Sequence, residues 1–535
     1  MCKLFHLKIR RRRRVVKSSK IILDRSYVVG KIDNRLFGSF VEHLGRCVYE
    51  GLYEPSHPLA DELGFRKDVL DMVRDLGISL IRYPGGNFVS GFHWEDSVGP
   101  VSQRPRRLDL AWKTTESNEV GLHEFAAFCK KAGASLMYSV NLGTRGADDA
   151  RNVVEYANHA GGTYWSDLRI KNGAEKPFGI PLWCLGNEMD AAWQTGQKSA
   201  QEYGRLARES AKVMKLVDPG IELVVCGSTG PVIETFGDWE LTVLDECYDY
   251  VDYVSLHRYY ENPEHDTASF LANTLDMEDF IHTVACICDT VKGKKHRKKK
   301  LNLSFDEWNV WYHTKGQDEE LIAADRWGQA LPLLQDVYNF EDALVVGLML
   351  ITLLKHADRI KISCLAQLVN VIAPIMTEKG GGAWAQTIFY PFMHVAKYAK
   401  DTDVLMTLID TPLYDCKKYT SVPYLDGVAV MAVDAQTGVC REVTLFCVSR
   451  DPDEEHTVTL DLRSFGSLSI KEHILLHHDN VNACNTQSDP FRVAPAPGPG
   501  GTVEDQTAVI RVPALSWNVF RFTACEQEFE QKPDR

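Results

Sequence analysis

From about residue 36 to about residue 390, short apolar runs alternate with stretches of helical period. The runs are Leu36–Glu42, Ile78–Tyr83, Ser135–Asn141, Pro181–Asn187, Glu222–Gly227, Val251–His257, Leu301–Glu307 and Ile360–Gln367. Each is nearly continuous in apolar character, the pattern of a parallel strand buried on both faces. Between them, Phe65–Leu76 places Val69, Leu70, Met72, Val73 and Leu76 on one helical face. Asn118–Ala132 opens on an Asn cap and stops before Gly133, and Ser199–Val217 stops at Asp218-Pro219-Gly220. Eight such units in succession predict an α/β fold, a closed (β/α)8 barrel over residues 36–390.

Beyond residue 390 the period changes. Val428–Val433, Glu442–Val448, Thr457–Leu462, Ile470–Leu476 and Ala508–Phe522 alternate apolar and polar positions, separated by polar gaps. This predicts an antiparallel β-sandwich over residues 391–535. The Pro, Gly and Ala-rich stretch Val493–Thr502 reads as a loop. Residues 15–35 also read as strand and are expected to join the sandwich, with residues 1–14 as a basic tail.

Composition narrows the class. Of 535 residues, 44% are hydrophobic and 25% charged, which excludes a disordered or fibrous chain. The net charge, 60 − 73 = −13, argues against nucleic acid as the partner. Two basic runs, Arg10–Arg14 and Lys294–Lys300, interrupt that trend. They read as a solvated terminus and a solvated helix-to-strand loop, with nuclear targeting as the other reading. The 14 cysteines form no Cys-x-x-Cys pair, so no zinc or disulfide framework is expected. No apolar segment of secretory type follows the N-terminal charges. The longest apolar run, Ala343–Leu354, is too short for a bilayer and reads as a buried helix. These features predict a cytoplasmic protein without membrane partners. No cofactor is expected, and no His-x-x-x-His or carboxylate cluster suggests a catalytic metal.

The strand ends carry the chemistry. The apolar runs finish on Glu42, Arg82, Asn141, Asn187-Glu188, Ser228, His257, Glu307 and Gln367. In a barrel these converge on the C-terminal mouth, where the active sites of this fold lie. Polar strand ends alone explain Ser228 and Asn141; they explain the carboxylates, Arg82 and His257 less well. Glycosidic cleavage needs one carboxylic acid to protonate the leaving oxygen and a second carboxylate. Glu188 and Glu307, ending the fourth and seventh strands on roughly opposite sides of the mouth, supply such a pair. Gly85-Gly86 is expected to turn the backbone sharply toward Asn87. It is not a phosphate loop, since no Lys-Ser/Thr follows.

Several segments resemble the α-L-arabinofuranosidases of glycoside hydrolase family 51. They are Phe37-Gly-Ser-Phe-Val-Glu-His-Leu-Gly-Arg46, Arg82-Tyr-Pro-Gly-Gly-Asn-Phe-Val-Ser-Gly91, Trp183-Cys-Leu-Gly-Asn-Glu188, Ser255-Leu-His-Arg-Tyr259, Asp306-Glu-Trp-Asn-Val-Trp-Tyr312 and Leu365-Ala-Gln-Leu-Val-Asn370. The Asn-Glu pair alone marks only a broad clan of barrel hydrolases, whereas Arg-Tyr-Pro-Gly-Gly-Asn-Phe and Ala-Gln-Leu-Val-Asn are far more specific.

The resemblance implies Glu188 as acid/base and Glu307 as nucleophile. For those roles Glu188 should be held protonated by a nearby negative Glu307, and Arg82 should keep Glu307 ionised. Tyr259 is similar to a tyrosine that hydrogen-bonds the nucleophile. His257 is similar to a mouth histidine beside the acid/base, a structural histidine being the other reading. Glu42, Asn87, Asn187 and Gln367 match positions that bind arabinofuranose hydroxyls, with Asn187 as partner of the 2-hydroxyl. Trp311 and Trp112 are candidate apolar walls.

The expected function is a retaining, exo-acting α-L-arabinofuranosidase. Its substrates would be arabinan, arabinoxylan or arabino-oligosaccharides. A β-xylosidase or endo-β-glucanase would use the same carboxylates, and a non-catalytic carbohydrate-binding protein is a further reading. The resemblance also implies a homo-oligomer.

Overall fold

A computed structural model describes residues 17–434 and 436–524. The Arg10–Arg14 run and residues 15 and 16 lie outside the described residues.

Eight parallel strands close into a barrel. They are β1 (Gly38–Phe40), β2 (Leu80–Tyr83), β3 (Ser135–Val140), β4 (Leu182–Leu185), β5 (Glu222–Cys226), β6 (Tyr253–Tyr260), β7 (Asn302–Val310) and β8 (Ile360–Ala366). Each pairs with its neighbours in sequence, and β8 closes on β1. Their side chains are buried almost throughout, as parallel strands covered by helices must be.

Strand lengths depart from the apolar runs in opposite senses around the ring. β1 and β4 stop short, leaving Glu42 and Glu188 in the loops beyond them. β6 and β7 run past His257 and Glu307, because Arg258, Tyr259 and Tyr260 pair onward with Trp308, Asn309 and Val310. Glu307 therefore lies within its strand rather than at its end.

Helix boundaries follow their caps. Ala200–Val217 is capped by the Ser199 hydroxyl, with Glu202 closing a capping box. The helix expected from Asn118 instead starts at Leu122 with Gly121 as its cap. Asn118 takes a left-handed backbone at φ 58° and donates its side-chain amide to the Pro105 carbonyl.

The apolar run around residue 347 is a fully buried helix, Phe340–Lys355. It packs between the barrel and the C-terminal strands. A Cβ on Gly347 would stand 2.6 Å from the Trp517 ring, so glycine permits the close approach. Beside it, Asp426 of the sandwich accepts from Lys355 at 2.6 Å and from Arg450 at 2.9 Å.

The C-terminal region is a sandwich of a five-stranded and a seven-stranded sheet. Most pairings are antiparallel, but Lys17–Ile22 pairs parallel with His456–Asp461 in the smaller sheet. Val28–Lys31 edges the larger sheet against Asp403–Leu405. The run 508–522 is two strands, Thr507–Val512 and Ser516–Ala524, parted at Pro513. The stretch read as a loop contributes short strands at Ala496–Pro497 and Gly501–Glu504. Backbone pairing at a sheet edge asks little of side-chain type, which is why composition did not reveal them.

Candidate active site

Glu307 on β7 is held from two sides. Arg82 donates to Oε1 at 2.6 Å from β2, and the Tyr259 hydroxyl donates to Oε2 at 2.8 Å from β6. The second arm of Arg82 donates to Asn187 Oδ1 at 2.7 Å. One guanidinium thus ties the two carboxylate-bearing strands together, the bidentate use that arginine geometry favours.

Glu188 follows Gly186 and Asn187 in the loop after β4. Its φ of 44° is left-handed, a strained state for a residue with a Cβ and one that concentrates at functional sites. Oε1 meets His257 Nδ1 at 3.0 Å, and Oε2 accepts the Trp193 indole N–H at 3.1 Å. Burial pushes the Glu188 carboxyl above its ordinary value. The hydrogen bond from His257 works against that, and the charge of Glu307 adds to it. The expected direction therefore holds, with burial rather than Glu307 as its main cause.

Oxygens of Glu188 and Glu307 and a nitrogen of His257 all lie within 4.8 Å of one another. β4 and β7 are three strands apart, and His257 from β6 fills the gap. Burial disfavours its charged form, but Glu307, Asp306 and Glu188 together raise it to about 10. The charged form of His257 is thus favoured among three acidic side chains. The carboxylate oxygens and His257 Nδ1 are engaged in hydrogen bonds with Arg82, Tyr259, Trp193 and one another, so the arrangement is a proton-sharing network rather than an open ligand set.

Asp306 is the residue that reading the strands as simple alternation misses. Successive strand residues normally face opposite sides, so Asp306 and Glu307 should not both reach the barrel interior. The β7 pairing with β8 is irregular between Phe305 and Trp308, and the β6–β7 register shifts between Ser255 and His257. These irregularities let both carboxylates turn inward. Asp306 lies 3.3 Å from His257 Nε2 and 3.9 Å from Arg82 Nε, and it accepts the Ser255 hydroxyl. Burial opposes its charge, yet Arg82 and His257 hold its carboxyl below the usual range.

The opposite wall is built on β1 and β2. Glu42 Oε1 accepts from the Phe88 backbone N–H at 2.8 Å and the Trp112 indole at 3.0 Å. Gln367 accepts from the Glu42 backbone N–H at 3.2 Å. Burial raises the Glu42 carboxyl to about 8, against those two hydrogen bonds. Gly86 serves proximity rather than turning: its φ is −24°, and a Cβ there would sit 2.5 Å from Glu42 Oε2. Asn187 donates to Asn87 Oδ1 at 3.3 Å, completing a polar floor with Arg82.

A cavity of about 730 Å³ opens over this floor. Glu42, Asn87, Glu188, His257, Tyr259, Glu307, Trp311 and Gln367 line it, with Trp112 beside them. Arg82 and Asn187 do not; both are 1% exposed and act from beneath. Trp311 meets Tyr259 edge to face at 5.7 Å. Trp193, 62% exposed, stands at the rim and was not singled out from the sequence, although an aromatic five residues after Glu188 was the available signal.

A closed β/α barrel with paired carboxylates facing one cavity at its C-terminal mouth is the architecture of a glycoside hydrolase. Two family models match in tandem: the alpha-L-arabinofuranosidase 1 domain over residues 72–276 and the alpha-L-arabinofuranosidase C-terminal domain over 306–516. The chain is 55% identical to an intracellular exo-alpha-(1->5)-L-arabinofuranosidase of Halalkalibacterium halodurans, covering 94% of this chain and 99% of that one. An exo-alpha-(1->6)-L-arabinofuranosidase of Bifidobacterium longum is 49% identical, with 94% and 97% covered. A solved family 51 alpha-L-arabinofuranosidase from Bifidobacterium longum superposes with a TM-score of 0.89 at 44% identity, over 95% of this chain and all of that one. The chain belongs to the α-L-arabinofuranosidases of glycoside hydrolase family 51.

Proposed function

We propose that the protein is a retaining, exo-acting α-L-arabinofuranosidase that removes terminal arabinofuranose from arabinan, arabinoxylan or arabino-oligosaccharides. The observation that carries this reading is the Glu188–Glu307 pair, within 4.8 Å and in contrasting surroundings. With an oxygen of each no farther apart than that, the pair suits direct attack rather than the wider placement of about 6.5–9.5 Å that leaves room for water in inverting enzymes.

In the first step Glu307 attacks the anomeric carbon. Arg82 and Tyr259 orient the carboxylate, leaving an oxygen lone pair for the new bond. Glu188, kept protonated by burial, gives its proton to the departing glycosidic oxygen. In the second step Glu188 takes a proton from water, and that water displaces Glu307 from the anomeric carbon. Two inversions give net retention. Asn187 and Asn87, with Glu42 and Gln367 opposite, would hold the sugar hydroxyls, and Trp311 and Trp112 would flank the ring. His257 and Asp306 set the charge beneath both carboxylates.

The (1->5) and (1->6) specificities in the names of its relatives support an exo-acting arabinofuranosidase over the xylosidase and glucanase alternatives. The word intracellular in several of those names supports a cytoplasmic location for this chain. A homo-oligomeric state rests on the family resemblance, and light scattering of the full chain tests it.

Hydrolysis of aryl α-L-arabinofuranoside, β-xyloside and β-glucoside by wild type, Glu188→Ala and Glu307→Ala tests the assignment. The arabinofuranoside should be preferred, Glu307→Ala should abolish turnover, and azide should yield a retained-configuration glycosyl azide with Glu188→Ala alone. Preferred turnover of another glycoside would move the substrate. Azide product of inverted configuration would overturn the mechanism.

A further inference from the structure

On the outer wall of the barrel, the helix Thr274–Lys294 carries Glu278 and His282 four residues apart. That spacing places both on one helical face, a turn apart. His356 faces them from another element: it caps the end of the helix Phe340–Lys355 and begins the turn that leads into β8. One donor atom from each of these three residues lies within 4.8 Å of the other two.

The hydrogen bonding at His356 is incomplete. The residue is 8% exposed, and its Nε2 is buried without a hydrogen-bond partner. An unsatisfied buried polar atom of this kind is destabilising. The nearest oxygen, Glu278 Oε1, stands 3.6 Å away, beyond hydrogen-bond reach. It is close to the edge of a tetrahedron, about 3.3 Å, whose centre lies about 2.0–2.2 Å from each ligand atom. The His282 ring stands perpendicular to that of His356 with centroids 4.7 Å apart. Its side chain is exposed to solvent.

Glu278 supplies the negative charge of the cluster. Lys355, the adjacent residue, is turned toward Asp426 at 2.6 Å, a carboxylate it shares with Arg450, so its positive charge is offset in part. The contrast with the mouth is informative. Glu188, His257 and Glu307 also gather, but their carboxylate oxygens and His257 Nδ1 are taken up by Arg82, Tyr259 and Trp193 and by one another. At the outer wall the contact among the donors is the 3.6 Å ion pair of Glu278 with His356.

We propose that Glu278, His282 and His356 form a binding site for a borderline transition-metal cation of the Zn2+ class, with water completing the coordination. Two imidazoles and a carboxylate are the donor set such ions take, whereas Mg2+ and Ca2+ prefer oxygen alone. The site sits at the entry to β8, at the end of the barrel opposite the mouth. A bound ion would pin the outer helix to the turn before β8, beside the Lys355–Asp426–Arg450 contact with the sandwich. Its effect is therefore on the stability of that junction and not on bond cleavage.

Calorimetric titration of the chelator-treated full chain with Zn2+, for wild type and His282→Ala, tests this. Wild type should bind about one more equivalent than the variant, and its melting temperature should rise with Zn2+ where that of His282→Ala and Glu278→Gln does not. Co2+ should give the visible absorption of a four-coordinate site in wild type alone. His282 is exposed, and Glu278→Gln keeps the shape of a half-buried side chain, so metal-free variants should melt close to wild type and hydrolyse aryl arabinofuranoside at the same rate. Zn2+ held at the mouth would appear as inhibition common to all three proteins. Equal Zn2+ stoichiometry in wild type and His282→Ala would overturn the proposal.

Discussion

Arg82 reaches across the barrel from β2 to donate to Glu307 on β7 at 2.6 Å, with both side chains buried. The contact joins strands far apart in sequence and gives the buried Glu307 side chain a cationic partner.

Arg82→Ala should therefore act on stability as well as turnover. Removing one member of a buried pair strands the other charge, at a cost of about 3–5 kcal/mol. Here Glu307 and Asp306 both lose Arg82 and keep His257 as their cationic neighbour. Urea unfolding should show the loss, while Arg82→Lys, keeping the charge but not both hydrogen bonds, should recover part of the stability and little of the activity. An Arg82→Ala midpoint equal to wild type would contradict the role given to this ion pair.

Glu42 predicts a pH dependence. Its carboxyl titrates near its ordinary value, about 4.5, when unfolded and near about 8 when buried. Between those values the native state holds a proton that the unfolded state has lost, so the Glu42 contribution is fully present below pH about 4.5 and is lost as pH rises toward 8. Glu42→Gln keeps the shape and removes the titration. Its stability should fall less steeply than wild type from pH 5 to 8 in a series of urea midpoints; parallel curves would contradict the burial argument.

Trp193→Phe removes the indole N–H from Glu188 while keeping an aromatic ring at the rim. That hydrogen bond favours the ionised acid, so its loss should move the alkaline limb of the kcat/KM profile upward. A hydrogen bond is worth about 0.5–1.5 kcal/mol and a pKa unit about 1.4 kcal/mol, which limits the shift to about one unit. An unmoved limb would mean that solvent replaces the indole at no cost.

Gly86→Ala should be damaging although it adds one carbon. The new Cβ would meet the Glu42 carboxylate at 2.5 Å. Overpacking of this kind costs about 1–3 kcal/mol. KM for aryl arabinofuranoside should rise more than at Gly91→Ala, where a Cβ meets nothing within 4 Å. Equal effects at the two glycines would remove close approach as the reason for glycine at 86.

The alternation of apolar runs and helical periods was enough to count the barrel strands, because burial on both faces leaves an unbroken apolar signature. Polar residues at the ends of those runs pointed to Glu42, Arg82, Glu188, His257, Glu307 and Gln367 before any geometry was known. Asp306 stayed hidden because its inward turn depends on register shifts between β6, β7 and β8, and register belongs to pairs of strands. Asn118 reads as a cap because cap preference is local, whereas in the fold its side chain is spent on the Pro105 carbonyl.

By itself, then, the sequence determined the class of fold, the change from barrel to sandwich and the residues able to do acid–base chemistry, since each is written in composition and period along one strand or helix. Tertiary structure decided the meeting of Glu188, His257 and Glu307, the burial that raises Glu188, and the approach of His356 to Glu278 and His282. These depend on distance and dielectric between residues as many as 119 positions apart, as Glu188 and Glu307 are (307 − 188 = 119), and no local pattern encodes them.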